Sequence, residues 1–346
     1  MVRIKFGYVI VSSDPVSAVE QGVLAEKAGF DTVWLPDHFA DVNGDKLEPW
    51  SILSAISVKT KRVRLGSAVT DVQRSHPSRT AHAVANLDVL SRGRAVLGIG
   101  AGEAMNIVPY GLPWEDPAGR VGRLEEGIRV IQLLWRSSRE RPVSFEGRYF
   151  RLKDAFLSLS PKQKPHPRIF VGAFSSKKAL EVVGRLGNGW YAWLNTPETF
   201  RERWQIISEA ASAVNRSQKD IEPASHIMFA FPRNAAERRQ AMAGAKATLA
   251  MERTVLKSYG QNSPIAHYQR LGVLPGQVAE VMRAVDSIPD RVVEETMAIG
   301  GIEEVTAKVD SLSKAGIRHF AFADFLAPRN TRRTLTLLRK VIGHYK

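Results

Sequence analysis

Cysteine is absent from the 346 residues. That excludes disulfides, a thiolate nucleophile and any thiolate metal site, and it makes the cytoplasm the default compartment. No run of 18 apolar residues occurs, so no membrane span or membrane partner is expected. The apolar stretch at the N-terminus is short and interrupted by Lys5, unlike a signal peptide. His76 and His82 are six positions apart, which does not put two ligands on one helical face, and no His-Glu-x-x-His motif is present; no metal is expected. A Gly-x-Ser-x-Gly elbow and a Walker loop are also lacking. The nicotinamide fingerprint needs Gly-x-Gly-x-x-Gly after the first strand, whereas Gly98-Ile-Gly100-Ala-Gly102 lies on the fourth with the wrong spacing.

What is present is a basic chain rich in apolar residues. Lysine and arginine number 49 against 35 acidic residues, a net charge of +14, and 44% of residues are hydrophobic, enough for a large core. The basic residues are spread along helical stretches and form no arm or aromatic-interleaved patch. A small, anionic molecule is therefore the expected partner, and nucleic acid is not.

Strand and helix patterns alternate. Strands are expected at 4–11, 32–35, 64–69, 95–99, 169–171, 189–194, 224–230 and 318–322. Helices are expected at 16–28, 51–58, 77–90, 120–136, 177–186, 198–215, 302–315 and 331–342, with Asp14 capping the first ahead of Pro15. Residues 143–150 read as a hairpin around Glu146-Gly147. Eight strands without a break in composition point to one closed (β/α)8 TIM barrel over residues 1–346, a doubly wound sheet being the alternative. Residues 235–293 are too long for one connection and read as a helical insertion on the substrate side, with helical patterns at 241–259 and 278–285.

In such a barrel the carboxyl ends of the strands carry the chemistry. The run Ala95-Val96-Leu97-Gly98-Ile99 has the composition of a strand buried on both faces. It breaks into Gly100-Ala101-Gly102, where a flat or phosphorylated ligand can approach the backbone. Glu103 follows, with Asn106 one helical turn on. A carboxylate there is either used in chemistry or is a helix N-terminal Glu favoured by the macrodipole. Strand two ends in Asp37-His38. His38 can take a proton from a hydroxyl or position a ring; the alternative is a packed His that satisfies a loop carbonyl. The fifth strand leads through Gly172-Ala173-Phe174-Ser175-Ser176 into Lys177 and Lys178. Small residues at a helix N-terminus beside lysines can bind phosphate, or they can be a plain N-cap.

These segments resemble a known family. Ser91-Arg-Gly-Arg-Ala-Val-Leu-Gly98-Ile-Gly-Ala-Gly102-Glu103 is similar to the fourth-strand segment of the bacterial-luciferase-like superfamily, and Gly-Glu-Ala-Met-Asn resembles its coenzyme F420-dependent branch. Pro36-Asp37-His38-Phe39, Lys27-Ala-Gly29-Phe-Asp31 and Lys314-Ala-Gly316-Ile-Arg-His-Phe320 fall in the family's order. The resemblance implies a TIM barrel with insertions, a homodimer, and an F420-dependent oxidoreductase. Its reaction would be hydride transfer between deazaflavin C5 and an alcohol/ketone pair or a methylenetetrahydropterin. It also implies roles for single residues. Asp37 and His38 would flank the ring, His38 deprotonating or orienting the substrate hydroxyl. Ala68 and Val69 would form a bulge with a non-prolyl cis peptide behind the ring. Ala101, Gly102, Glu103 and Asn106 would line the ring's polar edge, Glu103 protonating or hydrogen-bonding its N1 side. Gly172, Ala173, Ser175 and Ser176 would receive the phosphate and acidic tail. Val42 stands where the dehydrogenases of this branch carry a Trp, and Ser12-Ser13 where the sugar-phosphate enzyme has an acidic residue; both depart from glucose 6-phosphate as substrate. An FMN-dependent monooxygenase and a non-catalytic flavin- or F420-binding barrel are the other two expectations.

Overall fold

Eight runs of β-branched, aromatic and aliphatic residues form parallel strands in the computed structural model, which describes residues 3–39, 47–265, 279, 283, 285–324, 326 and 331–346. They are β1 (Lys5–Val9), β2 (Thr32–Leu35), β3 (Arg64–Ser67), β4 (Ala95–Gly100), β5 (Arg168–Gly172), β6 (Gly189–Trp193), β7 (Glu222–Ala230) and β8 (His319–Asp324). Each pairs with the next, and β8 pairs back onto β1 with Phe320 opposite Phe6. The sheet therefore closes as a barrel, and the doubly wound alternative is set aside.

Helices α1 (Pro15–Ala28), α2 (Pro49–Lys59), α3 (Pro77–Leu90), α4 (Pro117–Arg136), α5 (Lys177–Leu186) and α6 (Pro197–Ser212) follow the first six strands in turn. Between β7 and β8 lie α7 (Ala235–Met251), α8 (Arg253–Ser258), α9 (Asp290–Thr296) and α10 (Ile302–Ala315), and α11 (Thr331–Gly343) follows β8. The caps explain the boundaries. The Asp14 carboxylate accepts from Val16 N and Ser17 N, and Gly29 closes α1 at φ +93°, a conformation that costs glycine little.

Three expectations need correction. The pattern at 241–259 is not one helix, because it breaks at Glu252 between α7 and α8. Helix α6 stops at Ser212, short of 215, with Asn215 at φ +57°. The hairpin strands are Val143–Glu146 and Arg151–Ala155. Their turn is held by the Glu126 carboxylate of α4, which accepts from Arg148 N and Tyr149 N. The pattern at 278–285 falls largely outside the described residues. Among the described residues no helix is long and apolar enough to cross a membrane.

Alternation along the strands separates two cores. Phe6, Leu65, Leu97, Val171, Ala192 and Phe322 face the helices, while Val9, Trp34, Val96, Phe170, Tyr191 and Ala321 fill the barrel. A third cluster joins Leu249, Leu256 and Val292, from α7, α8 and α9, to Leu194 and Met228 at the carboxyl ends of β6 and β7. The base of the barrel is ionic, since the first residues of five strands meet there. Glu222 lies 2.6 Å from Lys5 Nζ, 2.9 Å from His319 Nδ1 and 3.6 Å from Arg168, with Arg64 at 4.0 Å. Burial alone would raise this carboxyl. The His319 hydrogen bond and the His319 and Lys5 charges outweigh it and hold Glu222 well below the usual carboxylate range.

A depressed carboxyl contributes stability that is present above the ordinary carboxylate pKa and is lost as pH falls. Glu222→Gln leaves Lys5 and Arg168 without their shared counter-ion, so it is expected to lose about 3 kcal/mol at neutral pH. It should also unfold with a flatter acid limb than the parent. Urea unfolding at about pH 7 and about pH 3, below the ordinary carboxylate range, checks this, and equal losses at both would be the wrong outcome.

Candidate active site

The carboxyl ends of β2, β3 and β4 come together at the mouth of the barrel. Strand β3 ends at Ser67, the Ala68–Val69 peptide is cis, and Thr70–Asp71 resumes pairing beside Ile99–Gly100 of β4. Ser67 Oγ bridges the interruption, donating to Gly98 O at 2.8 Å and accepting from Gly98 N at 3.1 Å. A Cβ on Gly98 would stand 2.0 Å from Ser67 O, so this close approach requires the glycine. The Val69 side chain lies against Gly100 and Gly172, giving an apolar floor that spans β3, β4 and β5.

Asp37 and His38 rise just beyond β2. Asp37 accepts from the Thr70 hydroxyl and lies 3.3 Å from Arg74. Arg74 also donates from Nε to Asp71 and from Nη2 to Asp37 O, both at 2.5 Å, and stacks 4.9 Å over the Phe39 ring. Burial raises the Asp37 carboxyl, and the Arg74 charge and Thr70 hydrogen bond only partly offset it. His38 Nε2 faces Glu103 Oε2 at 3.8 Å, with Glu103 58% exposed. That is an ion-pair distance, longer than a hydrogen bond. Glu103 precedes a single 3-10 turn and caps nothing with its side chain, so the helix-capping alternative for it falls away. Ala101 and Gly102 lie at its shoulder, Gly102 at φ +83°. A buried donor sits here too: Gln73 Nε2 has no hydrogen-bond partner among the described residues and its Cγ abuts Gly102.

Two expected residues are buried. Asn106 is 1% exposed, and its Oδ1 accepts from Phe39 N at 2.7 Å, which braces the loop carrying His38. Ala173 is packed in the core beneath the helices, its carbonyl accepting from Trp190 Nε1 at 2.8 Å. Beside it, Gly172 ends β5. Ser176 caps α5 by accepting from Ala179 N, and Ser175 Oγ lies 3.5 Å from Thr254 Oγ1 of α8. Val42 lies outside the described residues. Ser12, where the sugar-phosphate enzyme's acidic residue was expected, is buried and bonds Asp14 N and O.

Sequence reasoning missed Arg74, which sits in a polar Gln-Arg-Ser segment that reads as solvated loop. It also missed the β6–β7 wall. There Tyr191 OH lies 2.9 Å from His226 Nδ1, the His226 ring lies 4.6 Å from that of Trp193, and Trp193 Nε1 donates to Glu252 at 3.0 Å. Among the described residues no cluster of three or more His, Asp or Glu is arranged to hold a metal ion.

The model of the family described as luciferase-like monooxygenase matches residues 7–319. The chain is 30% identical over 333 residues to the F420-dependent glucose-6-phosphate dehydrogenase of Microbacterium testaceum, a match covering 93% of this chain and 92% of that one. It is 26% identical over 352 residues to the 5,10-methylenetetrahydromethanopterin reductase of Archaeoglobus fulgidus, covering 98% of each. A solved F420-dependent secondary alcohol dehydrogenase in complex with an F420-acetone adduct shares the fold, with a TM-score of 0.83, 24% identity and 99% of both chains covered.

Removing the guanidinium leaves Asp37 and Asp71, only 17% and 6% exposed, as unpaired neighbours. Arg74→Leu is expected to destabilise by about 3 kcal/mol. Arg74→Lys should recover only part of it, because a point charge cannot reach both carboxylates and a carbonyl at once. Chemical denaturation of both variants is the check; a Lys variant as stable as the parent would show that charge alone suffices.

Proposed function

The chain belongs to the bacterial luciferase-like family, and within it we propose a coenzyme F420-dependent oxidoreductase acting on an organic substrate, an alcohol/ketone pair or a methylenetetrahydropterin. The observation that carries this reading is the facing pair of His38 and Glu103 at the barrel mouth, 3.8 Å apart, on a chain that matches an F420-dependent enzyme over 93% of its length. When bound, the deazaflavin supplies or accepts a hydride at C5.

The residues present fit such a group. Val69 and the glycines of β4 and β5 offer a flat apolar surface, and Gln73 Nε2, without a partner among the described residues, offers a buried donor beside it. Ser175, Ser176, Lys177 and Lys178 open α5 with exposed positive charge, suited to a phosphate and an acidic tail. Asp37, Ala68, Ala101 and Gly102 would border the ring. Asn106 would act by fixing the His38 loop, and Gly172 and Ala173 by shaping the turn into α5. His38 would deprotonate or orient the substrate hydroxyl, and Glu103 would hold or hydrogen-bond a proton at the polar edge of the ring. In this reading the chain is one barrel domain with a helical insertion over 235–293, and it works as a cytoplasmic homodimer.

Quenching of oxidised F420 and FMN fluorescence, side by side, tests the cofactor. Binding of F420 with FMN ignored is the expected outcome, and preference for FMN would move the chain to the monooxygenase reading. His38→Ala and Glu103→Gln should each lower turnover roughly a hundredfold or more while leaving F420 binding intact. Full rate in both variants would remove them from the mechanism. A monomer in sedimentation velocity would remove the dimer.

A further inference from the structure

Glu252 stands in the break between α7 and α8, with φ −98° and ψ +69°. Its half-buried carboxyl accepts from Trp193 Nε1, at the carboxyl end of β6, at 3.0 Å. The neighbouring Thr254 meets Ser175, beyond β5, so the break is fastened over the ends of two strands. In the closed order β6 is four strands from β2, which puts Glu252 across the mouth from His38. Among the described residues, the charges acting on it are those of Glu103, after β4, and Arg203, on α6. Arg203 is otherwise engaged, with Nη1 on Asn195 Oδ1 at 2.6 Å and its guanidinium 4.6 Å over Phe174.

We propose that Glu252 is the substrate-side acid of this site, hydrogen-bonding and protonating the reacting oxygen or nitrogen of an uncharged carbonyl or imine substrate. This rests on the oxidoreductase reading. In the reductive direction the substrate carbon gains a hydride from the reduced deazaflavin, and the C=O or C=N π pair moves onto the heteroatom. That atom takes the Glu252 proton, and water reprotonates the carboxylate; alcohol oxidation runs these steps in reverse. Proton exchange at Glu252 leaves His38 to orient the substrate. Two carboxyl groups, Glu103 and Glu252, border this space, which disfavours a phosphate close to the reacting carbon. Burial first, and then the Glu103 charge, raise the Glu252 carboxyl to about 7, against the opposing Trp193 hydrogen bond and Arg203 charge. A group so poised holds and releases a proton readily at neutral pH.

The first test needs no cofactor. Tryptophan fluorescence of the full chain, titrated from about pH 5 to about pH 9, should show a transition near 7 that Glu252→Asp keeps and Glu252→Gln loses. His226 also packs on Trp193, and a transition that survives Glu252→Gln is not that of Glu252 and overturns the proposal. The second test is turnover with whichever of F420 and FMN the chain binds. Reductive kcat/KM should fall as pH rises through about 7. Glu252→Gln should lose that limb and roughly a hundredfold in kcat, with cofactor affinity unchanged, and Glu252→Asp should recover part of the rate. An unchanged rate and profile in Glu252→Gln overturn this inference alone. A chain that binds neither cofactor overturns the oxidoreductase reading and this inference with it.

Discussion

The barrel is built around one indole. Trp34 projects inward from β2 and meets Phe170, Tyr191 and His319 with ring centroids 5.0 to 5.8 Å away. A Cβ on Gly7 of β1, or on Gly66 of β3, would stand 2.5 Å from its ring, so both flanking strands must be bare where they pass it. Filling the centre with one large side chain makes the interior a packed core with no through-channel. Whatever binds must then bind above Trp34, where the strands end. The same strand that plugs the barrel carries Asp37 and His38 three and four residues later, so the plug sets the height of the site.

The two ends of the barrel treat charge in opposite ways. At the base Glu222 is ringed by Lys5, Arg64, Arg168 and His319, and the carboxylate is held ionised. At the mouth the balance tips the other way. Asp37 is raised despite Arg74, and Glu252 is raised with Glu103 adding to the effect of burial. A paired, depressed carboxylate holds strands together and exchanges no proton at neutral pH. A desolvated carboxyl is the costlier arrangement, and such groups gather where chemistry uses them. Arg74 is the exception at the mouth. Its contacts with Asp37, Asp71 and Phe39 fix the loop ends of β2 and β3 relative to each other, a structural task set inside the site.

Most of the fold was legible because each unit carries its own boundary marks. Asp14-Pro15 and Gly29 bracket α1, and the α5 limits at 177 and 186 follow from Ser176 and the glycine at 187. Strand ends were legible as site positions because a parallel barrel puts every one of them on one face. Orientation was not. Ala173 lies one residue past Gly172, and that single step turns its side chain under the helices. The resemblance makes Asn106 a ring contact, and its bond to Phe39 N was not legible, because spacing shows where a residue lies along the chain and not which backbone N–H its amide will satisfy. The break at Glu252 was invisible for another reason. Residues 241–259 have helical periodicity throughout, and the interruption is paired with a tertiary contact, the Trp193 hydrogen bond, that local pattern does not encode.

The site is thus assembled from two sources with different constraints. Val69, Ala101, Gly102, His38 and Glu103 come from the ends of β2 to β4, where strand pairing, the Ser67–Gly98 bridge and the Arg74 contacts leave little freedom to move. Trp193 and His226 come from β6 and β7, but the group they present, Glu252, belongs to helices with their own apolar cluster. That cluster touches the barrel mainly through Leu194, Met228, Phe174 and Trp193. Such a segment can change its surface without disturbing strand register, because helices α7, α8 and α9 take no part in strand pairing. In the proposed reading, a cofactor face held by strand pairing and a substrate wall carried on helices would let one barrel keep its cofactor while its substrate changes. The position of Glu252, on the wall and within electrostatic reach of Glu103 on the face, is where the two sources meet.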